Sequence, residues 1–297
     1  MLDLYGGFGS QQAIDAAYDV EGAADMVAYE KWFVESSERA RRDHRCNRSV
    51  PYGPTVMEHS NVFPAAESNS PILVYLHGGA WRSLSADIFD LIAPGPIAAG
   101  FAVVNVTYAL CPSVTISEIV RQARAAVAWA ARNAASFNGN PDRIFVAGHS
   151  AGGHLAAMCA LTSWSRDYGL PDDLVKGVMP ISGLFDLEPV SLCFMQSSLR
   201  LTGDQIMRES PLRHVRPLSM PMTVIWGEQE LQPFKDQAAQ FGAAWREQGN
   251  VAEDLVLNKD HFNILDGFQR LDGALTEALI KIDNKYPGNS RKNNDYR

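Results

Sequence analysis

The sequence predicts an α/β protein with a mainly parallel central sheet and helices on both faces of that sheet. Short apolar runs such as PILVYL and FAVVNV alternate with longer segments in which apolar residues recur at helical spacing. Strands that alternate with helices in this way form parallel βαβ units. The chain has 297 residues, of which 46% are hydrophobic. That is enough for one large domain with a buried core.

The first part of the chain is expected to place helical structure ahead of the sheet. Apolar side chains recur at helical spacing over residues 11–42, with a break at Gly22, which predicts one or two amphipathic helices. An extended stretch over residues 49–64 follows. The apolar run at residues 71–77 predicts a strand that is covered on both faces. The next two predicted elements are a helix over residues 88–99 and a strand over residues 101–107.

The rest of the chain continues the alternation. The elements expected here are a long helix at 115–136, a strand at 143–147, a helix at 151–161, a strand at 177–181, a strand at 222–226, a helix at 233–248, a strand at 253–257 and a helix at 264–285. The less regular stretch 185–217 predicts a partial cap. We therefore expect one domain over residues 1–286, including a helical N-terminal segment at 10–45, and a flexible tail at 287–297.

Charge and composition exclude several classes of function. Lys plus Arg number 26 and Asp plus Glu number 34, so the net charge is −8. Nucleic acids and anionic membranes are therefore not expected as partners, since both require clustered positive charge. The N-terminus lacks a secretory signal and no apolar run reaches the ~20 residues of a spanning helix, which predicts a cytoplasmic protein. The four cysteines are scattered, so we expect no metal site, and a homodimer is left open.

The strongest chemical motif is GHSAG at residues 148–152, which has the pattern G-x-S-x-G and lies between an apolar strand and a helical run. Its small residues permit a sharp strand-to-helix turn that lifts the Ser150 hydroxyl above the sheet edge. The following helix N-terminus favours the negative charge that develops during attack on a carbonyl. Ser150 is therefore the candidate nucleophile.

A second motif, HGGAW at residues 77–81, ends an earlier strand. Two consecutive glycines let the backbone approach a substrate closely and turn its N–H groups inward, as the oxyanion of an acyl-transfer intermediate requires. Gly78 and Gly79, together with the N–H of Ala151, form the candidate oxyanion hole. His77 is expected to brace this loop through hydrogen bonds and not to act as a base.

A serine nucleophile needs a base, and His261 is the candidate among seven histidines. It follows the last predicted strand, where a loop at the carboxyl edge of the sheet would bring the imidazole to Ser150. The acid is expected after the strand at 222–226. Glu230 is the first choice there, Glu228 is the second, and Asp260 ranks third because it is more suited to a turn.

These motifs, together with SGLFDL at 182–187, GEQELQPFKDQ at 227–237 and DHFNIL at 260–265, resemble the α/β-hydrolase superfamily and its arylformamidase-like, HGG-motif esterase branch. The resemblance covers residues 50–285 and, more weakly, the segment around Tyr18. It implies an α/β-hydrolase fold and a triad of Ser150, Glu230 and His261. It also implies hydrolysis of N-formylkynurenine to kynurenine and formate through an acyl-enzyme, without a metal or organic cofactor.

Two positions depart from the family pattern. The loop reads HGG-Ala-Trp where relatives often have HGG-Tyr-Trp, so Ala80 is expected to leave a wider acyl pocket. The acid is Glu where animal members use Asp. The candidate pocket walls for a small aromatic substrate are Trp81, His149, Phe185, Phe262 and Tyr18.

Two rival functions use the same motifs. A short-chain carboxylesterase or another amidase would share the triad but have a different pocket. A non-catalytic binding protein on this fold is the more remote alternative. Such proteins usually lose a member of the triad, whereas all three positions are present here.

Overall fold

An eight-stranded, mostly parallel sheet forms the centre of the computed structural model, which describes residues 5–285. The strands are β1 (Asn47–Pro51), β2 (His59–Phe63), β3 (Ser70–Leu76), β4 (Ala102–Val106), β5 (Gly139–His149), β6 (Val175–Ile181), β7 (Met222–Gly227) and β8 (Ala252–Leu257). Their order across the sheet is β1-β2-β4-β3-β5-β6-β7-β8. Strand β2 pairs in antiparallel fashion with both of its neighbours, β1 and β4, and β3 to β8 run parallel to one another.

Helices of very different lengths connect these strands. The α-helices are α1 (Gln11–Tyr18), α2 (Met26–Asp43), α3 (Ala86–Phe89), α4 (Pro94–Ala98), α5 (Ile116–Asn133), α6 (Ala151–Ala160), α7 (Trp164–Tyr168), α8 (Gln196–Leu199), α9 (Gly203–Glu209), α10 (Gln232–Glu247) and α11 (Ala274–Lys285). Short 3-10 helices lie at Asp90–Ile92, Ala134–Phe137, Pro189–Leu192, Pro211–His214 and Asn263–Phe268. Residues next to a helix determine where several of the helices begin. The Thr115 side chain, for example, caps the N-terminus of α5 by accepting a hydrogen bond from the Glu118 amide.

Both faces of the sheet are buried. Ile72, Val74 and Leu76 of β3 join an apolar cluster that includes the inner side of α5. Leu73 and Tyr75 join a second cluster, which includes residues of α2 and α11. Successive side chains of a strand point to opposite faces, so this division shows that helices cover the central strands on both sides.

The parallel register brings the ends of the strands to one edge of the sheet. Leu76 of β3 pairs with Gly148 of β5, and His149 of β5 pairs with Ile181 of β6. Gly227 ends β7 beside Leu257 of β8. The loops that follow β3, β5, β6, β7 and β8 therefore leave the sheet at the same edge, where open α/β sheets bind their ligands.

The structure confirms the predicted fold class and most of the predicted elements. The chain has two N-terminal helices, α1 and α2, separated at Gly22 as expected. The strands predicted at 71–77, 101–107, 177–181, 222–226 and 253–257 correspond to β3, β4, β6, β7 and β8. The strand predicted at 143–147 is longer, since β5 already begins at Gly139 and ends at His149.

The extended stretch predicted at 49–64 is confirmed, since it contains most of the antiparallel pair of β1 and β2. Two predictions are corrected. The helix predicted at 88–99 is split by the 3-10 turn Asp90–Ile92 before α4, which begins at Pro94, a residue that cannot continue a preceding helix. The helix predicted at 264–285 is split into the 3-10 helix Asn263–Phe268 and α11.

Close backbone packing explains that last break. A Cβ on Gly273 would lie 2.3 Å from the carbonyl oxygen of Gly267, and a Cβ on Gly267 would lie 2.7 Å from Cγ of Leu275. The chain folds back on itself here, which one continuous helix would not allow.

Residues 185–217 consist of loops, α8, α9 and the 3-10 helices Pro189–Leu192 and Pro211–His214. In residues 5–285 we find no helix with the length and apolar character needed to span a membrane. The domain boundaries, the cap, the cytoplasmic location and the homodimer stay predictions. The tail at 287–297 lies outside the described residues.

Candidate active site

Ser150 occupies a sharp turn between the end of β5 and the start of α6. Its backbone angles are φ 56° and ψ −118°, a conformation that non-glycine residues rarely adopt. The flanking glycines are required by close packing. A Cβ on Gly148 would lie 2.1 Å from the carbonyl oxygen of Gly152, and a Cβ on Gly152 would lie 1.9 Å from that of Leu76. The strained turn is therefore held by the backbone around it, as in a nucleophile elbow.

Ser150, His261 and Glu230 form a continuous chain of hydrogen bonds. The Ser150 Oγ lies 3.0 Å from Nε2 of His261, and Nδ1 of His261 lies 2.9 Å from Oε2 of Glu230. All three side chains are buried to at least nine-tenths. A carboxylate on Nδ1 fixes the tautomer whose Nε2 can accept the serine proton, so the arrangement matches that of a nucleophile and its base.

The second oxygen of Glu230 is also held. Its Oε1 accepts a hydrogen bond of 2.6 Å from the Ser182 hydroxyl and one of 2.7 Å from the Gly227 amide. Ser182 is fully buried at the end of β6 and adopts a φ of 51°. Sequence reasoning assigned no role to Ser182, and its place directly after a buried parallel strand was the available signal.

Replacing Ser182 with alanine is expected to lower kcat by about tenfold with little change in KM. A hydrogen bond to a charged group contributes about 1.5–3 kcal/mol, and tenfold corresponds to about 1.4 kcal/mol. Steady-state kinetics at several pH values would measure the effect, because Glu230 orients the imidazole of His261 through a hydrogen bond. An unchanged kcat and pH profile would show that Gly227 alone suffices to hold Glu230.

The two other candidate acids lie elsewhere. Glu228 is exposed and has no side-chain contact with His261. Asp260 accepts hydrogen bonds from the amides of Phe262 and Asn263 and from the Tyr29 hydroxyl, the last at 2.5 Å. These bonds hold the loop that carries His261, so Asp260 shapes a turn.

The HGGAW loop leaves several backbone donors free beside Ser150. Among residues 5–285, no acceptor takes a hydrogen bond from the N–H groups of Gly78, Gly79 or Ala151. Gly79 has a φ of 111°, and a Cβ there would lie 2.2 Å from the Ser83 carbonyl oxygen. The turn therefore requires glycine, and its free amides are available to a ligand oxygen.

His77 lies in the core below this loop. Its Nδ1 donates to the Gly78 carbonyl at 2.6 Å, its ring stacks on Tyr108 at 4.1 Å, and the Tyr108 hydroxyl donates to the His77 carbonyl. Burial lowers the pKa of His77 to about 4. A neutral, fully buried imidazole with these contacts braces the loop.

His149 links the nucleophile turn to the loop of the base. Its Nε2 donates to the His261 carbonyl at 2.7 Å, and the two imidazole rings lie 4.7 Å apart. Burial, with the neighbouring His261 ring, holds the pKa of His149 well below the usual value of histidine. His149 is therefore neutral and ties together two parts of the site.

A cavity of about 450 Å³ opens above Ser150. Tyr18, Trp81, His149 and Phe262 line it, as does Ala80. The wall also includes residues that sequence reasoning missed, among them Met26, Phe33 and Val34 of α2, and Arg82, Leu184, Phe194, Met195 and Phe234.

Phe185 is the exception among the predicted pocket walls. Its ring is fully buried and stacks on Phe241 with 4.3 Å between the ring centroids, and it does not line this cavity. The sequence analysis named it as a candidate pocket wall, but its side chain packs in the core. Trp81 contacts the cavity from a buried position in which its indole N–H donates to His154 at 3.3 Å.

Comparison with known proteins identifies the family. The BD-FAE family model matches residues 62–243. Kynurenine formamidase of Danio rerio is 30% identical over 272 residues, which cover 89% of this chain and 91% of that protein. The chain belongs to the arylformamidase-like α/β-hydrolases.

This hydrolase is also similar to esterases. Esterase LipQ of Mycobacterium tuberculosis is 25% identical over 291 residues, covering 82% of this chain and 68% of the relative. Among solved structures, a candidate thioesterase from a Silicibacter species is 28% identical, with a TM-score of 0.78, and covers 90% of this chain and 98% of its own. The hydrolase therefore acts on amide or ester bonds as an arylformamidase or esterase of the serine-hydrolase type.

Proposed function

We propose that this hydrolase cleaves aryl formamides, with N-formylkynurenine as the substrate, to the aryl amine and formate. The observation that carries the proposal is the chain of hydrogen bonds from Ser150 through His261 to Glu230, which lies at the base of an aromatic-lined cavity. The similarity to kynurenine formamidase of Danio rerio supports the choice of a formamide over other amides.

The first half of the reaction would acylate Ser150. Its Oγ attacks the formyl carbon while His261 Nε2, 3.0 Å away, takes the hydroxyl proton. The carbonyl oxygen becomes an oxyanion that accepts hydrogen bonds from the free amides of the HGGAW loop and of Ala151. The C–N bond then breaks, and His261 returns the proton to the departing aryl nitrogen.

The second half would release formate. Water enters beside His261 and loses a proton to Nε2 as its oxygen attacks the formyl ester. Collapse of the second tetrahedral intermediate breaks the ester bond, and His261 protonates the Ser150 oxygen. Throughout, Glu230 holds the imidazole in one tautomer and stabilises the transient imidazolium.

The cavity suits a small aromatic leaving group. Its volume of about 450 Å³ falls within the usual range for small-ligand sites, ~300–1,000 Å³. The rings of Phe33, Phe234 and Phe262 line its wall. Phe262 also packs on Tyr29 at 5.1 Å, which fixes its position. Aromatic walls favour a flat apolar group beside the scissile bond.

A comparison of kcat/KM for N-formylkynurenine, an aryl acetamide and p-nitrophenyl acetate tests the proposal. We expect N-formylkynurenine to give the highest value among the amides. Turnover of the ester alone, with no hydrolysis of either amide, would contradict the formamidase function and favour a short-chain carboxylesterase.

Ala80 favours the wider acyl specificity of that second candidate. It lines the cavity beside Trp81, and its methyl group leaves more space there than a larger side chain would. Each methylene admitted to such a pocket changes selectivity by about 1–3 kcal/mol. We expect the wild type to prefer formyl over acetyl by less than about a hundredfold on matched aryl amines.

The Ala80→Tyr variant is expected to increase that preference, because the added ring would fill the space beside the acyl group. Its thermal midpoint should be measured alongside the kinetics to confirm folding. A wild type that already rejects acetyl by more than about a hundredfold would show that the acyl pocket is narrow despite Ala80.

A further inference from the structure

Arg82 places an uncompensated positive charge in the wall of the active-site cavity. Its guanidinium carbon lies 5.3 Å from the centre of the Phe194 ring. Both residues line the cavity above Ser150. Within the part of the chain that the structure describes, no carboxylate forms an ion pair with Arg82 and no acceptor receives a side-chain hydrogen bond from it. All five of its N–H donors are therefore available to a ligand.

Arg82 contrasts with three other half-buried arginines that pair with carboxylates. Arg41 pairs with Asp90 at 2.7 Å, Arg121 pairs with Glu58 at 2.6 Å, and Arg143 pairs with Asp283 at 2.7 Å. A guanidinium withdrawn partly from water normally has such a partner, since desolvation of an unpaired charge is unfavourable. An aromatic ring offsets part of that cost and leaves the planar donors free for a carboxylate.

Three carboxylates line the same cavity without neutralising Arg82. Asp19, Glu21 and Glu30 come from the α1–α2 turn and from α2, and all three are exposed. Asp19 accepts a hydrogen bond from the Gly22 amide. Glu21 and Glu30 form no ion pair among residues 5–285. The cavity wall therefore carries one unpaired positive charge, on Arg82. The carboxylates of Asp19, Glu21 and Glu30 form an acidic rim.

These charges restrict the ligand that complements the cavity. A substrate whose only charge is a carboxylate would be attracted by Arg82 but repelled by the three carboxylates of the acidic rim. A neutral ester would form an ion pair with neither Arg82 nor the carboxylates of the acidic rim. A dipolar ligand, with a carboxylate and an ammonium on the same end, complements both.

We propose that Arg82 binds a carboxylate on the leaving-group side of the substrate and that the acidic rim binds an ammonium beside it. The hydrolase would then select acyl amides and esters whose aromatic leaving group carries an α-amino acid. This inference rests on the proposed function, since it concerns the same cavity. It assigns residues that bind the end of the substrate far from the scissile bond.

The test compares kcat/KM for three compounds: N-formylkynurenine, the same compound with its carboxylate converted to a carboxamide, and the same compound without its amino group. In the wild type we expect N-formylkynurenine to exceed each analogue by about 10- to 100-fold, the range of a charge-assisted hydrogen bond. Arg82→Gln should lower the carboxylate-to-carboxamide ratio by at least about tenfold. Arg82→Lys should lower it less.

Two further variants complete the design. Glu30→Gln should lower the ratio of N-formylkynurenine to its deaminated analogue and leave the carboxylate ratio less affected than Arg82→Gln does. Arg39→Gln is the matched control for charge, since Arg39 is an exposed arginine of α2 that does not line the cavity. The carboxylate ratio of Arg39→Gln should equal that of the wild type.

The outcomes separate this inference from the proposed function. Wild-type ratios near one, together with normal hydrolysis of N-formylaniline, would overturn the Arg82 inference and leave the formamidase function intact. Failure to hydrolyse any formamide would overturn the function, and a matched pair of carboxylated and neutral aryl esters would then test Arg82 separately. If Arg82→Gln does not fold, competitive inhibition of the wild type by kynurenine and by its carboxamide gives the same ratio, and equal inhibition would overturn the inference.

Discussion

The Ser150→Ala variant is expected to lose on the order of 10⁴- to 10⁶-fold in kcat, the range of other serine hydrolases deprived of their nucleophile. The substitution removes one oxygen and leaves the backbone of the turn, where the surrounding contacts of Gly148 and Gly152 hold the conformation. KM and the thermal midpoint should therefore change little. Stopped assays on N-formylkynurenine and p-nitrophenyl acetate, with intact mass spectrometry to exclude residual wild type, would measure the loss.

Labelling with a fluorophosphonate gives an independent measurement of the same prediction. The wild type should gain one adduct on Ser150, and Ser150→Ala should gain none. Ser219→Ala, which changes an exposed serine in the loop before β7, is the matched control and should be labelled normally. A Ser150→Ala enzyme that retained more than about a tenth of the wild-type kcat would show that another group is the nucleophile.

The features of this site that could be predicted from the sequence depend on short motifs or on the order of the strands along the chain. The turn at Ser150 depends on glycines two positions away on either side, so the pattern is visible locally. His261 was found because chain order in a parallel sheet determines which loops share an edge. Glu230 lies three residues beyond Gly227, whose amide binds its carboxylate, so this contact also is short in sequence.

The parts that the sequence did not predict depend on contacts between distant segments. Ser182 donates to Glu230 across 48 positions of the chain. The residues of α2 that line the cavity look like any other apolar face of an amphipathic helix until the helix is placed. Phe185 shows the converse error, because proximity to a strand end does not determine which way a side chain points.

The N-terminal segment contributes more to the site than its position before the sheet suggested. Phe33 of α2 lines the cavity, and Tyr29 of the same helix donates to Asp260, the residue before His261. Burial, together with the hydrogen bond to Asp260, raises the pKa of Tyr29 to about 12, so the hydroxyl keeps its proton and remains a donor at neutral pH. One helix therefore both lines the cavity above Ser150 and holds the loop that carries His261, the proposed base.

The second large effect is expected at Glu230, the proposed triad acid, where Glu230→Gln should lower kcat on the order of 10⁴-fold, as the loss of the corresponding carboxylate does in serine proteases. Three donors converge on Glu230: Nδ1 of His261, the Ser182 hydroxyl and the Gly227 amide. A glutamine has one acceptor and one donor group, so any orientation places its NH₂ against one of these donors. The His261 tautomer and the imidazolium both lose their support.

Glu228→Gln is the matched control, since it removes the same charge from the same loop two residues away. The Glu228 side chain is exposed, so kcat should stay within about threefold of the wild type, as is usual for surface substitutions. Both variants should be compared with the wild type at several pH values, so that the comparison of kcat does not depend on one chosen pH. A severe defect in Glu228→Gln beside a mild one in Glu230→Gln would assign the acid to Glu228, and would mean that the His261 loop rearranges when substrate binds.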